Sequence, residues 1–133
     1  MSKPLRTCLP SYERESYISF LRKNDYSFVT ERQSNRYIDD FLRFCQDEFK
    51  HAEAQKVAQK HVIAYAKRLT IQEGNYQTAR VKLLVVLKWL RWLASKERIG
   101  ADPTADLIAA QMVATLKPNL EAERLARRKR LGL

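Results

Sequence analysis

The side chains able to do chemistry are few, and cations dominate them. The chain has 133 residues, with 25 lysines and arginines against 15 aspartates and glutamates, two histidines and two cysteines. Cys8 lies near the terminus and Cys45 inside a helical pattern, so neither a disulfide framework nor a thiolate metal cluster can be read from them. His61 has no cysteine or carboxylate pattern that would define a metal site or a general base, and reads as structural; His51 reads as the more exposed of the two. No acidic cluster at metal-ligand spacing accompanies the basic residues, which counts against a nuclease. The expectation is therefore no metal and no cofactor.

What remains is patterned positive charge. Lys56, Lys60 and Lys67 fall near one side of a helix, at offsets of 4 and 11 residues, and Arg80, Lys88 and Arg91 cluster at helical spacing further on. Ammonium groups so arranged neutralise backbone phosphates and contribute affinity and register more than base identity. A guanidinium such as that of Arg80 or Arg91 can also pair with guanine in the major groove. A solvated charged face would carry the same residue types. Thr78 has two readings that suit one geometry, a plain helix cap or a cap whose helix start turns backbone donors toward a phosphate. Trp89 and Trp92 offer rings for base stacking, but their apolar surroundings favour packing.

These residues must be positioned by helices. Three glycines and four prolines leave sparse punctuation. A first helix is expected over 12–23, with Tyr12, Ser16, Ser19 and Lys23 on one side, as an extension of the core. The next, over 30–49, starts with Thr30 as cap, Gln33 three places on and Val29 as a hydrophobic staple, and turns Tyr37, Ile38, Phe41, Leu42, Cys45 and Phe49 inward. A third covers 56–69 with Ala58, Val62, Tyr65, Ala66 and Leu69 inward. Gly74 and Asn75 then precede the most apolar helix, 76–96. Its stripe is Ala79, Leu83, Val86, Leu87, Leu90 and Leu93, and Val81, Val85, Trp89 and Trp92 make the opposite side apolar as well, so it belongs at the centre of a bundle. Gly100 supplies a stop; Asp102 and Pro103 read as an N-cap and first position for a last helix over 104–116, ended by Pro118. The segment after it forms a basic helix or a tail.

The net charge of +10 favours a polyanionic partner. It is unevenly spread: residues 31–49 carry −2, whereas 50–100 carry +8 from 11 basic and three acidic side chains. The opening MSKPLRTCLP lacks the apolar core of a secretory signal, and VKLLVVLKWLRWLA, interrupted by Lys82, Lys88 and Arg91, is too short to span a bilayer. A cytoplasmic protein with no membrane partner is expected.

Two segments carry a family resemblance. LRKNDYSFVTERQSNRYIDDFLRFC, residues 21–45, has a Tyr26-Ser27 turn, a Thr30-Glu31 helix start, Ile38, and an aromatic ending in Phe41 and Phe44. YQTARVKLLVVLKWLRWLASKERIGADPTADL, residues 76–107, has Thr78 near a helix start, the apolar run of Leu83, Leu87, Trp89 and Leu90, Ile99 in a turn, and Asp102-Pro103 ahead of a last helix. Over residues 18–110 the chain resembles the N-terminal core-binding domain of tyrosine recombinases, the phage and integron integrase superfamily. Ser34 stands where many relatives have an aromatic, and Asp102 replaces a more frequent Asn. The family's separate catalytic domain, with an Arg, a His-x-x-Arg element and a tyrosine nucleophile, has no counterpart here: neither His51 nor His61 begins such a sequence.

The resemblance implies an all-α, SAM-like bundle of four core helices with an additional N-terminal helix and a basic C-terminal tail. The divisions are an N-terminal arm at 1–29, a DNA-binding domain at 30–116 and the basic segment at 117–133. It implies a double-stranded DNA partner held through Lys56, Lys60, Lys67, Thr78, Arg80, Lys88 and Arg91, with recombinase protomers as further partners and no catalysis by this chain alone. An excised recombinase half and a stand-alone binder are both compatible with it. The alternative is a helical protein-interaction adaptor with a basic tail.

Overall fold

In the computed structural model, which describes residues 11–73, 76–109, 111–112, 114, 125 and 127–132, four long helices build an all-α fold, with no strand among the described residues. The first, α1, runs Tyr12–Lys23. Ser11 caps it, its Oγ accepting from the Arg14 amide at 3.1 Å, with Glu13 and Glu15 in the first turn and Arg22 and Lys23 in the last, each sign where the helix dipole favours it. Asn24 closes its end by donating from Nδ2 to the Phe20 carbonyl at 2.8 Å, and Asp25, at a φ of 58°, turns the chain.

The second helix, α2, spans Phe28–Phe49, two residues longer than expected at its start. Ser27 is its cap: its Oγ accepts from the Thr30 amide at 3.1 Å. Thr30 therefore lies inside the first turn, and Val29, 63% exposed, staples nothing. Ile38, Phe41, Leu42 and Cys45 are fully buried. Burial pushes the Cys45 thiol up to about 12, which keeps it protonated and unreactive. Tyr37 is half-buried, its ring facing the Lys82 ammonium at 5.5 Å.

After Lys50, in the left-handed region at φ 63°, the chain makes a 3-10 turn at Ala54–Lys56 and enters α3, Gln59–Glu73. This helix starts three residues later than the sequence pattern places it. Val57 is buried in extended backbone, and Ala58, expected inward, is exposed outside the helix. His61, Val62, Tyr65, Ala66 and Leu69 form the buried face, and the Tyr65 hydroxyl donates to Asp40 at 2.7 Å.

The last long helix, α4, is Tyr76–Ser95 and packs against α1, α2 and α3. That central position explains an apolar surface wider than one stripe: Ala79, Leu83, Val86, Leu87, Leu90 and Leu93 are buried, and so is Trp89 on the other side. Trp89 donates from Nε1 to the Glu13 carbonyl at 3.3 Å, fastening α4 to α1. Tyr17 and Leu21 of α1 join the core, and Tyr17 and Phe20 pack on the Trp92 ring at centroid distances of 5.3 Å each. The helix at 12–23 is thus a wall of the bundle and not an appendage.

The end of α4 comes earlier than Gly100. Glu97 adopts a φ of 56° and the Arg98 amide donates back to the Leu93 carbonyl at 2.9 Å, closing the helix with a left-handed residue. The helix expected from Thr104 does not start there. Residues 103–106 form a turn with Asp106 at φ 63°, and Asp102 Oδ1 accepts from the Thr104 amide at 2.8 Å and its hydroxyl at 2.6 Å. An Asp-Pro-Thr run that reads as a helix start here closes a turn by the same side-chain bond. Helical residues follow at 109, 111, 112 and 114, while Leu116 and Pro118 lie outside the described residues. Residues 125 and 127–130 are helical, with Arg127, Arg128, Lys129 and Arg130 exposed. Gly74, Asn75 and Cys8 also lie outside the described residues.

Candidate nucleic-acid interface

Two outward strips carry most of the residues singled out by spacing. On α3, Lys60, Ile63, Lys67 and Ile71 are exposed at steps that keep them on one side. On α4 the exposed strip is Gln77, Val81, Leu84, Lys88, Arg91 and Ser95. The turn after α4 ties the start of α3 to the end of α4. Gln59 donates to the Ala105 carbonyl at 3.1 Å, and Arg91 donates from Nε to Thr104 Oγ1 at 3.0 Å and from Nη2 to the Leu107 carbonyl.

The expected site residues fare differently. Lys60, Lys67 and Lys88 are exposed and make no ion pair among the described residues. Lys56 is not on α3 but on the preceding 3-10 turn, 3.5 Å from Glu53. Thr78 is the third residue of α4, half-buried and already engaged, so it is not the cap. Arg80 is half-buried and donates to Gln77 Oε1 at 3.0 Å, while its buried Nε has no protein partner. Arg91 holds the 104–107 turn with the donors that guanine reading would need. Lys60, Lys67 and Lys88 are therefore the available cations of the two strips, and Arg91 is turned to a positioning task.

Acidic groups are engaged elsewhere. Asp39, nearly buried, receives Arg43 Nε at 2.8 Å and lies 3.7 Å from Arg14, whose side chain is 6% exposed. Arg22 pairs with Glu31. These pairs sit on α1 and α2, whereas the exposed Lys60, Lys67 and Lys88 of α3 and α4 make no ion pair among the described residues. The described residues hold no group of three or more histidine, cysteine, aspartate or glutamate side chains placed to bind a metal ion. No helix among them is long and apolar enough to cross a membrane.

Spacing in the sequence does not reveal a concavity of about 500 Å³ between α1 and the end of α4. Tyr12, Ser16, Ser19 and Lys23, the side of α1 already grouped by periodicity, line it with Trp92 and Arg98. The Arg98 guanidinium lies 5.2 Å from the Tyr12 ring centroid and 5.9 Å from that of Trp92. A hydrogen bond from Arg98 holds the Tyr12 hydroxyl below its ordinary pKa. Arg68 similarly faces the Phe44 ring at 5.3 Å. Long-range ring contacts of this kind have no signature in local spacing.

No protein-family model, curated protein or solved structure matches this chain.

Proposed function

We propose that the chain binds double-stranded DNA through the outward strips of α3 and α4, in the manner of the SAM-like core-binding domain of tyrosine recombinases that its sequence resembles. On this reading it acts in the cytoplasm, alone or beside recombinase protomers, and neither cuts nor joins strands by itself. The carrying observation is the segregation of charge: Lys60, Lys67 and Lys88 stand exposed without ion pairs among the described residues, while Asp39 and Glu31 of α2 pair with Arg14, Arg22 and Arg43 of α1 and α2. Phosphate neutralisation by such lysines releases counterions, so affinity falls with salt in proportion to the contacts made.

The test is duplex binding at several salt concentrations by the full chain, by Lys60→Ala/Lys67→Ala/Lys88→Ala, and by a variant with Arg127, Arg128, Lys129 and Arg130 changed to Ala. Each lost phosphate contact lowers the logarithmic salt slope by roughly 0.9, nearly equally for different duplex sequences. Loss in the helix variant with retention in the tail variant supports the reading; binding that follows the tail alone rejects it.

A second reading has its own observation. Ile63 and Ile71 on α3 and Val81 and Leu84 on α4 are 37–52% exposed on the same strips, and apolar side chains between cations suit an adaptor that receives an acidic amphipathic helix.

A further inference from the structure

We infer that His51 and His61 form a proton-operated latch, which holds the connection between α2 and α3 in place only while both rings are neutral. The inference stands apart from what the basic strips bind. Ala58 precedes α3 and His61 is the helix's third residue, so the imidazole occupies the place where a Glu or Gln side chain reaches back to the cap residue's amide. It does the same here: His61 Nδ1 accepts from the Ala58 N–H at 2.7 Å. An Nδ1 that accepts carries no proton, so neutral His61 is protonated at Nε2. That nitrogen faces His51 Nε2 at 3.4 Å. His51 Nε2 must then accept, which puts the proton of neutral His51 on Nδ1, a buried atom with no protein partner.

Every nitrogen of the pair is thereby assigned, and no site is left for a further proton. One added at His61 Nδ1 opposes the Ala58 N–H; one added at His51 Nε2 opposes the His61 Nε2–H. The same assignment argues against a metal ion held by the two Nε2 atoms, because His61 would have to bind through the nitrogen that carries its proton.

The surroundings favour the neutral state. His61 is 4% exposed, with its ring edge-on to Phe49 of α2 at a centroid distance of 4.3 Å and to His51 at 4.9 Å. Burial, then His51 and Lys60, hold the His61 pKa below the ordinary imidazole value, and the Ala58 N–H, which needs an unprotonated Nδ1, works in the same direction. The charged groups nearest the pair along the chain are Lys60 on α3, Lys50, Glu53 and Lys56 in the connection, and exposed Asp47 and Glu48 in the last turn of α2; on α4, which packs against α3, the charged side chains of the last two turns are the exposed Lys88 and Arg91. Glu53 is paired with Lys56 at 3.5 Å.

A histidine whose folded pKa is lowered contributes stability that is fully present above the unfolded value of about 6.5 and is lost as pH falls toward the folded value. The latch is therefore shut near pH 8 and opens below about 6.5.

The test combines long-range proton–nitrogen NMR of both rings with hydrogen exchange of the Ala58 amide in the full chain, from pH 8 to pH 5. The expected result is His61 as the Nε2–H tautomer and His51 as the Nδ1–H tautomer at pH 8. Protection of Ala58, corrected for intrinsic exchange, should fall by up to about tenfold per pH unit below 6.5. His61→Gln keeps an acceptor for Ala58 but cannot titrate, so its Ala58 protection should not vary with pH. A His61 protonated at Nδ1, wild-type protection that stays constant to pH 5, or a pH dependence that survives in His61→Gln would each overturn the latch. The tautomer measurement needs no variant and decides the matter if His61→Gln does not fold.

Discussion

Helices α1 and α2 carry six basic side chains against seven acidic, whereas α3 and α4 carry seven basic against Glu73 alone. In the first pair charge is used internally. Asp39 gathers Arg14 and Arg43, Glu31 takes Arg22, and Asp40 receives the Tyr65 hydroxyl from across the bundle. In the second pair Lys60, Lys67 and Lys88 face solvent, and Arg91, though exposed, is committed to bracing the turn at 104–107. The difference separates two uses of the same residue types: buried or half-buried cations with a fixed acceptor specify the fold, while exposed ones without an acceptor are free for a partner.

The comparison breaks most readily at Asp39. Asp39→Ala leaves the nearly buried Arg14 guanidinium without its carboxylate and is expected to lower the unfolding free energy by about 3 to 5 kcal/mol, read from urea denaturation. A loss under about 1 kcal/mol would place this pair with ordinary surface ion pairs and erase the contrast between the two halves. Ser27→Ala, which removes the cap of α2 but no ion pair, should cost about 1 kcal/mol in the same assay, and Thr30→Ala less. The smallest effects belong to α3 and α4: alanine at Lys60, Lys67 or Lys88 should change stability by no more than about 0.5 kcal/mol each. A larger loss at any of them would mean that the lysine supports the fold and is not spare for a ligand.

The long apolar stripes were plain in the sequence, because Ile38, Phe41, Leu42 and Cys45, and then Leu83, Val86, Leu87, Leu90 and Leu93, repeat at helical steps and are buried. Helix starts were harder. Ser27 and Thr30 stand three apart and both have capping chemistry; the chain's left-handed turn at Asp25 leaves Ser27 as the residue that meets a free amide. Asp102-Pro103 signals a helix start and a turn alike, and contacts from Arg91, 13 and 16 residues away, accompany the turn. The same distance hides the site. Spacing placed Lys60, Lys67 and Lys88 on helix faces, but it holds no trace of Arg91 reaching Leu107, of Arg98 lying between two rings, or of His51 meeting His61.

The bond from Trp89 to the Glu13 carbonyl joins residues 76 positions apart, and it dates the completion of the fold during synthesis. At the usual pace of a ribosome, 5 to 20 residues per second, roughly 4 to 15 s separate the emergence of its two ends. Through that interval Tyr17, Leu21 and Phe20 have α2 to lean on but lack Trp92 and the rest of α4. The nascent chain must carry a half-covered apolar surface until its most apolar helix arrives to close it, and that helix is therefore also the one whose delay would most expose the newborn protein to aggregation.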